Sequence, residues 1–406
     1  MKSNTSALFA PFLIFLFAVF SGFIIYRAAW FGIDKHFSLL ADSFLKGDLF
    51  LSPMNLPDGD YADYFGKQYL FFGPLPSIIL MPAVMIFGKN FPQMTLSIAS
   101  LVVTFGAIFL LISRFKFNLS DTFWLTNFFV FGTVLYFVGL INVSAYVVQA
   151  VGVAFIVLSL FEYFSLRRWF VIGLIVAAAG ATRISLFAMA IFYLLEIWRL
   201  RNQIDARRSL LLLMVPILFS LLVLGIYNLR RFGSVFDTGY SRNVSVLNKG
   251  YPNLLEGVTS IKHIPANLYL LLAAPPDPVK KDKLQFVMEF PYLRANGQGM
   301  AIWFTSPLFI YLLFARRQPY TISAISGIVA LAIPSLLYFG LGISQFGYRY
   351  SLDFIPLLFL ILLSAFQKGL PTFAKVLITV GIFFNLFYMS SLWNSYPLLN
   401  FWEYLD

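Results

Sequence analysis

Asp34, Asp42, Asp48, Asp58, Asp60 and Asp63 crowd the stretch between residues 34 and 63, in a chain of which only 12% is charged. Ionisable groups near hydrocarbon are expensive, so those that persist there are functional candidates. A carboxylate can take a hydroxyl proton as general base, an effect worth about 10²- to 10⁴-fold in rate. The opposite requirement, fixed positive charge for a phosphate, is met best by the planar fork of arginine. Arg183, Arg231, Arg242, Arg294 and Arg349 lie near the ends of apolar runs and are candidates for it. A plainer account competes with each of these. An outward loop of a membrane protein is polar in any case, and single arginines pair more often with loop carboxylates or lipid headgroups.

The elements that position these groups are transmembrane. The 406 residues are 60% hydrophobic and 19% aromatic, with a mean hydropathy of +0.81. Soluble domains carry about 25% charged residues, twice the share found here. Apolar runs of helical length recur along the whole chain, unlike the short alternating segments of a β-barrel. The net charge of +11 lies in short basic clusters between these runs. That distribution orients helices and attracts anionic lipid, so it does not indicate nucleic acid. The absence of cysteine excludes disulfides, thiolate metal sites and cysteine nucleophiles. MKSNTS followed by a long apolar run reads as an uncleaved signal anchor.

Taken in order, the expected apolar segments are Ala7–Tyr26, Leu75–Gly88, Thr95–Ile112, Phe123–Ile141, Ala145–Phe164, Trp169–Ala181, Ile184–Trp198 and Leu210–Tyr227, then Ala301–Phe314, Ile322–Leu341, Phe354–Phe366 and Val376–Met389. Arg114/Lys116, Arg167/Arg168, Arg199 to Arg208, Arg316/Arg317 and Lys368/Lys375 are assigned to the cytoplasmic side. Leu75–Gly88 is too short to cross and is read as re-entrant, which leaves eleven crossings. The expectation is one all-α polytopic domain over residues 1–406, with about 11 to 12 hydrophobic helices and two large external loops, 31–74 and 230–300. Ile264 to Ala274 is apolar but too short to span, and is expected to lie flat over the site.

Four outward stretches carry the distinctive residues: Asp60 with Tyr64, Gly66, Lys67, Tyr69, Pro74 and Pro76; Arg231-Phe-Gly-Ser234; Thr305-Ser-Pro307; and Gly347-Tyr348-Arg349-Tyr350. Together with Ala181-Thr182-Arg183 they resemble bacterial members of the GT-C superfamily. These are polytopic glycosyltransferases distantly related to the protein O-mannosyltransferases and the aminoarabinose transferases. The resemblance spans most of the chain, though each motif alone is weak. One departure is that better-known branches carry an Asp-Glu pair after the first span, where this chain has Asp34-Lys35-His36.

The resemblance implies transfer of a sugar from a polyprenyl-phosphate donor to an acceptor (lipid, glycan or protein) outside the membrane. It implies a multi-pass protein of the plasma (inner) membrane, in contact with membrane lipid. Such a displacement passes through an oxocarbenium-like state of the kind met in glycoside hydrolysis. Asp34 and Asp60 are then the candidate bases. His36, Tyr64, Lys67, Tyr69, Arg183, Arg231, Tyr348 and Arg349 are the candidate substrate-binding groups. A divalent cation held by loop carboxylates serves some branches; nothing in this sequence calls for one. His36 and His263 are the only histidines and are read as singly solvated rather than metal-bound.

Two other readings stand beside the enzyme: a transporter or flippase of a lipid-linked saccharide, and a non-catalytic envelope scaffold. Transporters place ionisable residues in broken helices at mid-membrane, whereas here they gather at one interface. Reporter fusions are expected to place Lys67 and Tyr348 outside and Arg167, Arg207 and Arg316 in the cytoplasm. A cytoplasmic signal at Lys67 would dissolve the shared outer site.

Overall fold

The structure is a computed structural model and describes residues 4–28, 34–52, 60–242, 257–280, 287–342 and 345–395. It is a helical protein with two small two-stranded sheets, and five of its helices are long and apolar enough to cross a membrane.

The helix at the centre is α7, Ser144–Phe164. Its sequence is apolar on every side, the signature of a helix enclosed by others. Its apolar window is 78% buried, against 17% for α1 (Asn4–Ala28) and 22% for α10 (Ala206–Phe232), whose exposed leucines and phenylalanines face outward. Against α7 pack α4 (Met94–Ser113) and α8 (Trp169–Thr182), and α10 packs on α8. α10 begins at an Asp205 cap, which accepts the Arg208 N–H at 3.0 Å, and stops at Gly233 in the left-handed conformation. The helix therefore carries Arg230 and Arg231 in its last turn, and the outer loop starts only after Phe232.

Several apolar runs expected as single spans are segmented. Phe123–Ile141 divides into α5 (Leu119–Phe131) and α6 (Leu135–Leu140) after Gly132. Ile184–Trp198 starts as a tight 3-10 turn before α9 (Ala190–Arg199), because Arg183 is extended. Ala301–Phe314 breaks between Ile302–Thr305 and Pro307–Phe314. Proline lacks the N–H that a continuing helix needs and pushes the preceding residue out of helical geometry.

The described part of the first polar loop, 34–52 and 60–74, holds more secondary structure than its polar sequence suggests. α2, His36–Leu45, packs on α3, Leu75–Phe87. A hairpin pairs β1 (Tyr61–Tyr64) with β2 (Lys67–Leu70). The two turn residues, Phe65 and Gly66, have φ of 50° and 71°, the pattern whose twist suits a two-residue hairpin. α2, the hairpin and Phe232 form a second apolar cluster on Val147, Val148 and Val151 of α7. The expected re-entrant segment is α3, whose 13 residues rise about 20 Å against about 30 Å of hydrocarbon. Ile264–Leu272 is a short helix, as its apolar run suggested.

The basic clusters meet at the far end of α7. The Arg114 guanidinium lies 5.6 Å from the Phe161 ring, that of Arg167 lies 4.8 Å from the Tyr163 ring, and Arg199 bonds Glu196 beside Tyr163. The 21 residues of α7 put about 31 Å between them and the Ser144 end.

Gly73, at the start of the α3 approach, donates its N–H to Thr182 O at 3.2 Å. A Cβ there would fall 2.0 Å from Ala181 O. Gly73→Ala is expected to cost about 1 to 3 kcal/mol as an overpacked contact, read as a lowered melting temperature in detergent. Gly106→Ala, where a Cβ meets nothing within 4 Å, is expected to show no such loss.

Candidate active site

The first turn of α7 is the cradle of the site. The Ser144 N–H donates to Asp34 Oδ2 at 2.9 Å, and the next N–H, of Ala145, donates to the Asp60 carboxylate. Both groups belong to the unpaired donors with which every helix begins, and the helix dipole adds its positive end. Two carboxylates brought together at one point normally repel; the helix terminus offsets part of that repulsion. Burial first, and the neighbouring Asp34 charge after it, push the Asp60 carboxyl up to about 6. His36, Arg349 and the Ala145 N–H act in the opposite direction.

Asp34 is the more tightly held of the two. His36 Nδ1 lies 2.9 Å from Ser144 Oγ and 3.5 Å from Asp34 Oδ2. Gln93 donates to Ser144 Oγ at 3.3 Å and accepts the Phe37 N–H at 2.9 Å. These contacts anchor the start of α2 to that of α7. Among the described residues no group of three or more His, Asp or Glu gathers as a metal-binding set. Each of the two carboxylates already accepts a helix N–H, and His36 is engaged by Ser144.

Arg349 faces the same end of α7 from the next turn. Its NH1 donates to Gln149 Oε1 at 3.0 Å and its NH2 to the Tyr350 hydroxyl at 3.3 Å. The guanidinium lies 4.8 Å from the Tyr146 ring and 4.5 Å from the Tyr350 ring. It is 9% exposed, its Nε has no hydrogen-bond partner, and no carboxylate among the described residues is within ion-pairing distance. Leaving a buried charge unpaired costs several kcal/mol.

The other predicted residues divide into two groups. Arg183 comes to the Arg349 neighbourhood: its NH1 donates to Asp353 Oδ1 at 2.5 Å, and its guanidinium lies 5.4 Å from the Tyr350 ring. Ser185 also donates to Asp353, at 3.3 Å. Arg183 lines an open cleft with Phe72, Pro74, Tyr227, Arg231 and Tyr240. Burial pushes the Tyr240 phenol up, with Arg183 opposing and Tyr350 and Asp60 adding to the rise. It stays a neutral donor at the junction between cleft and carboxylates.

The remaining residues serve the framework. Arg231 donates to Leu70 O at 2.6 Å and to Asn228 Oδ1 at 2.7 Å, and stacks 3.8 Å from the Tyr227 ring. One arm of its fork fastens the hairpin to α10, and the other is held by Asn228 of the same helix. Tyr69 and Tyr64 pack edge-on against Phe232. Lys67 is exposed, with Nζ 4.5 Å from the Phe50 ring. The Tyr348 hydroxyl donates to Asn267 Oδ1 at 3.0 Å, tying the short helix Ile264–Leu272 to the Arg349 run. Sequence reasoning missed Ser144, Ala145, Tyr146 and Gln149, all in the first two turns of α7. Only Ser144, a common helix-starting residue, offered a signal.

No family model matches the chain, and no curated protein matches it. Among solved structures it is similar to ArnT from Cupriavidus metallidurans in the apo state, with a TM-score of 0.48, 12% identity, and coverage of 86% of this chain and 59% of that one. It is similar also to the Archaeoglobus fulgidus oligosaccharyltransferase in the apo form, with a TM-score of 0.48, 11% identity, and coverage of 94% and 55%. The archaeal oligosaccharyltransferase AglB, in complex with an inhibitory peptide and a dolichol-phosphate, gives 0.46, 12%, 96% and 56%. The chain thus spans somewhat more than half the length of each.

The Arg183–Asp353 pair supplies a test of the local electrostatics, since the two side chains are 14% and 3% exposed. Asp353→Asn strands a buried guanidinium and is expected to destabilise by about 3 to 5 kcal/mol. Arg183→Met combined with Asp353→Leu is expected to recover much of that loss, because two apolar groups leave no charge unpaired. A thermal-melt double-mutant cycle reads both.

Proposed function

We propose that the protein transfers a sugar from a polyprenyl-phosphate donor to an acceptor hydroxyl at the outer membrane interface, as an integral enzyme of the plasma (inner) membrane. The observation that carries this reading is the meeting of two carboxylates and an unpaired, buried arginine at one helix terminus, beside a cleft walled by α8 and α10. A base and a phosphate-binding cation within reach of one another are what glycosyl displacement from a phosphate requires. The basic clusters at the opposite end of α7 support an outward-facing site through the positive-inside rule.

In this reading Asp60 is the base. Its carboxyl is poised near the working pH, whereas Asp34 is locked by Ser144 and His36 and acts as a positioning residue. Asp60 accepts the proton of the acceptor hydroxyl while the acceptor oxygen forms its bond to the anomeric carbon. The bond from that carbon to the phosphate oxygen breaks, and the oxygen departs with the electron pair. Arg349 meets the growing negative charge, and Arg183 and Tyr240 line the way by which the isoprenoid chain reaches the bilayer. Exposed Ile184, on the cleft wall next to Arg183, is suited to a lipid tail.

The purified full chain, incubated with radiolabelled polyprenyl-phosphate sugars and candidate acceptors, tests the reaction directly. Asp60→Asn is expected to lose about 10²- to 10⁴-fold in turnover while keeping its melting temperature. The active form is the ionised carboxylate, so the rate is expected to rise with pH and level off above a midpoint of about 6. Asp34→Asn removes a charge that raises the Asp60 value, and should move that midpoint downward. Full turnover in Asp60→Asn would remove the carboxylate mechanism.

A further inference from the structure

We infer that Gln149 is a positioning residue that holds Arg349 extended and unpaired, so that its charge is kept for a phosphate-like anion. The inference rests on the donor reading above and adds a residue to it. Four other arginines in the described residues make a carboxylate contact: Arg168 with Glu162 at 2.9 Å, Arg183 with Asp353 at 2.5 Å, Arg199 with Glu196 at 2.5 Å, and Arg242 with Asp237 at 3.1 Å. The two buried ones, Arg231 and Arg349, do not. Arg231 is accounted for, because its two arms fasten Leu70 O and Asn228. Arg349 has a neutral amide where the other four have a carboxylate.

That amide is fixed at both ends. Gln149 Oε1 accepts from Arg349 NH1 at 3.0 Å, and its Nε2 donates back to Arg349 O at 3.4 Å. Gln345 Oε1 accepts the Arg349 N–H at 3.2 Å, so the backbone of that residue is held as well. The rings of Tyr146 and Tyr350 give the guanidinium two faces of negative quadrupole in place of a carboxylate contact. Gln149 lies on α7 three residues after Tyr146 and one turn beyond the N–H groups that hold Asp34 and Asp60. One helix face thereby sets the distance between base and cation. A glutamate at position 149 would have nearly the same shape and would neutralise the arginine. It would act as a tethered competitor of the anion.

The experiment uses the full chain in detergent micelles with a radiolabelled polyprenyl monophosphate as probe, and the phosphate-free polyprenol as control. Gln149→Glu is expected to keep or raise the melting temperature and to weaken monophosphate binding about 10- to 100-fold, the scale of one charge-assisted contact. Polyprenol binding should not change. Gln149→Leu, which removes the amide without adding charge, is expected to weaken binding less, whereas a merely structural disturbance would affect both variants and the polyprenol control alike. Unchanged affinity in Gln149→Glu alongside a large loss in Arg349→Ala would overturn the role of Gln149 and leave the donor reading intact. Unchanged affinity in both variants would overturn the donor reading together with it.

Discussion

Two consecutive backbone N–H groups, of Ser144 and Ala145, are what the site depends on. They carry the partial positive charge of a helix that has just begun, and each is aimed at a different carboxylate. Helix termini are common anion sites; here the anions are the protein's own, supplied by a loop more than eighty residues earlier in the chain. The arrangement lets Asp34 and Asp60 stay close without mutual exclusion. It also separates them, since Asp34 has the side-chain contact to His36 while the Asp60 carboxyl is raised by burial. Were α7 to begin one residue later, both pairings would lose their register.

α7 can offer this terminus to the loops around it because the rest of it is enclosed. Its valine-, alanine- and glycine-rich middle lets α4 and α8 approach closely, and its far end is fixed among Arg114, Arg167 and the Glu196–Arg199–Tyr163 network. Glu196 is fully buried and also accepts from Ser323 at 2.6 Å, a set of partners that satisfies a charge in the core. The helix is thus held at one end by packing and paired charges, and offers unpaired donors at the other. Rigid at its base, it positions groups that arrive from several loops.

How much of this was legible in the sequence follows from what each feature rests on. The apolar runs report membrane helices because hydrocarbon leaves the backbone no other choice, and Ala145–Phe164 differs from the observed helix by a single residue at its start. Asp34, Asp60 and Arg349 stood out because charge near a bilayer is costly. Breaks such as the one at Pro307 were written in the chain, but hydropathy averages over them. Gln149 and Tyr146 were invisible, since an amide and a ring inside an apolar run have no periodic signature; their meaning comes from Arg349, brought to them by the fold. Arg231 shows what sequence leaves open: a buried arginine reads the same whether it faces the cleft, as this one does, or fastens its own helix and Leu70 O, as its two terminal nitrogens do.

The contact between Gln149 and Arg349 joins residues 200 positions apart. Chains emerge from the ribosome at about 5 to 20 residues each second, so α7 precedes its arginine by about 10 to 40 s of synthesis. Throughout that interval the helix that organises the protein holds a glutamine and a pair of carboxylates at its tip with no cation to complete them. Until then Gln149 and Tyr146 lack the arginine that they hold in the finished fold. The arrival of the Gly347–Tyr350 segment, late in the 406 residues, is the event that completes the set.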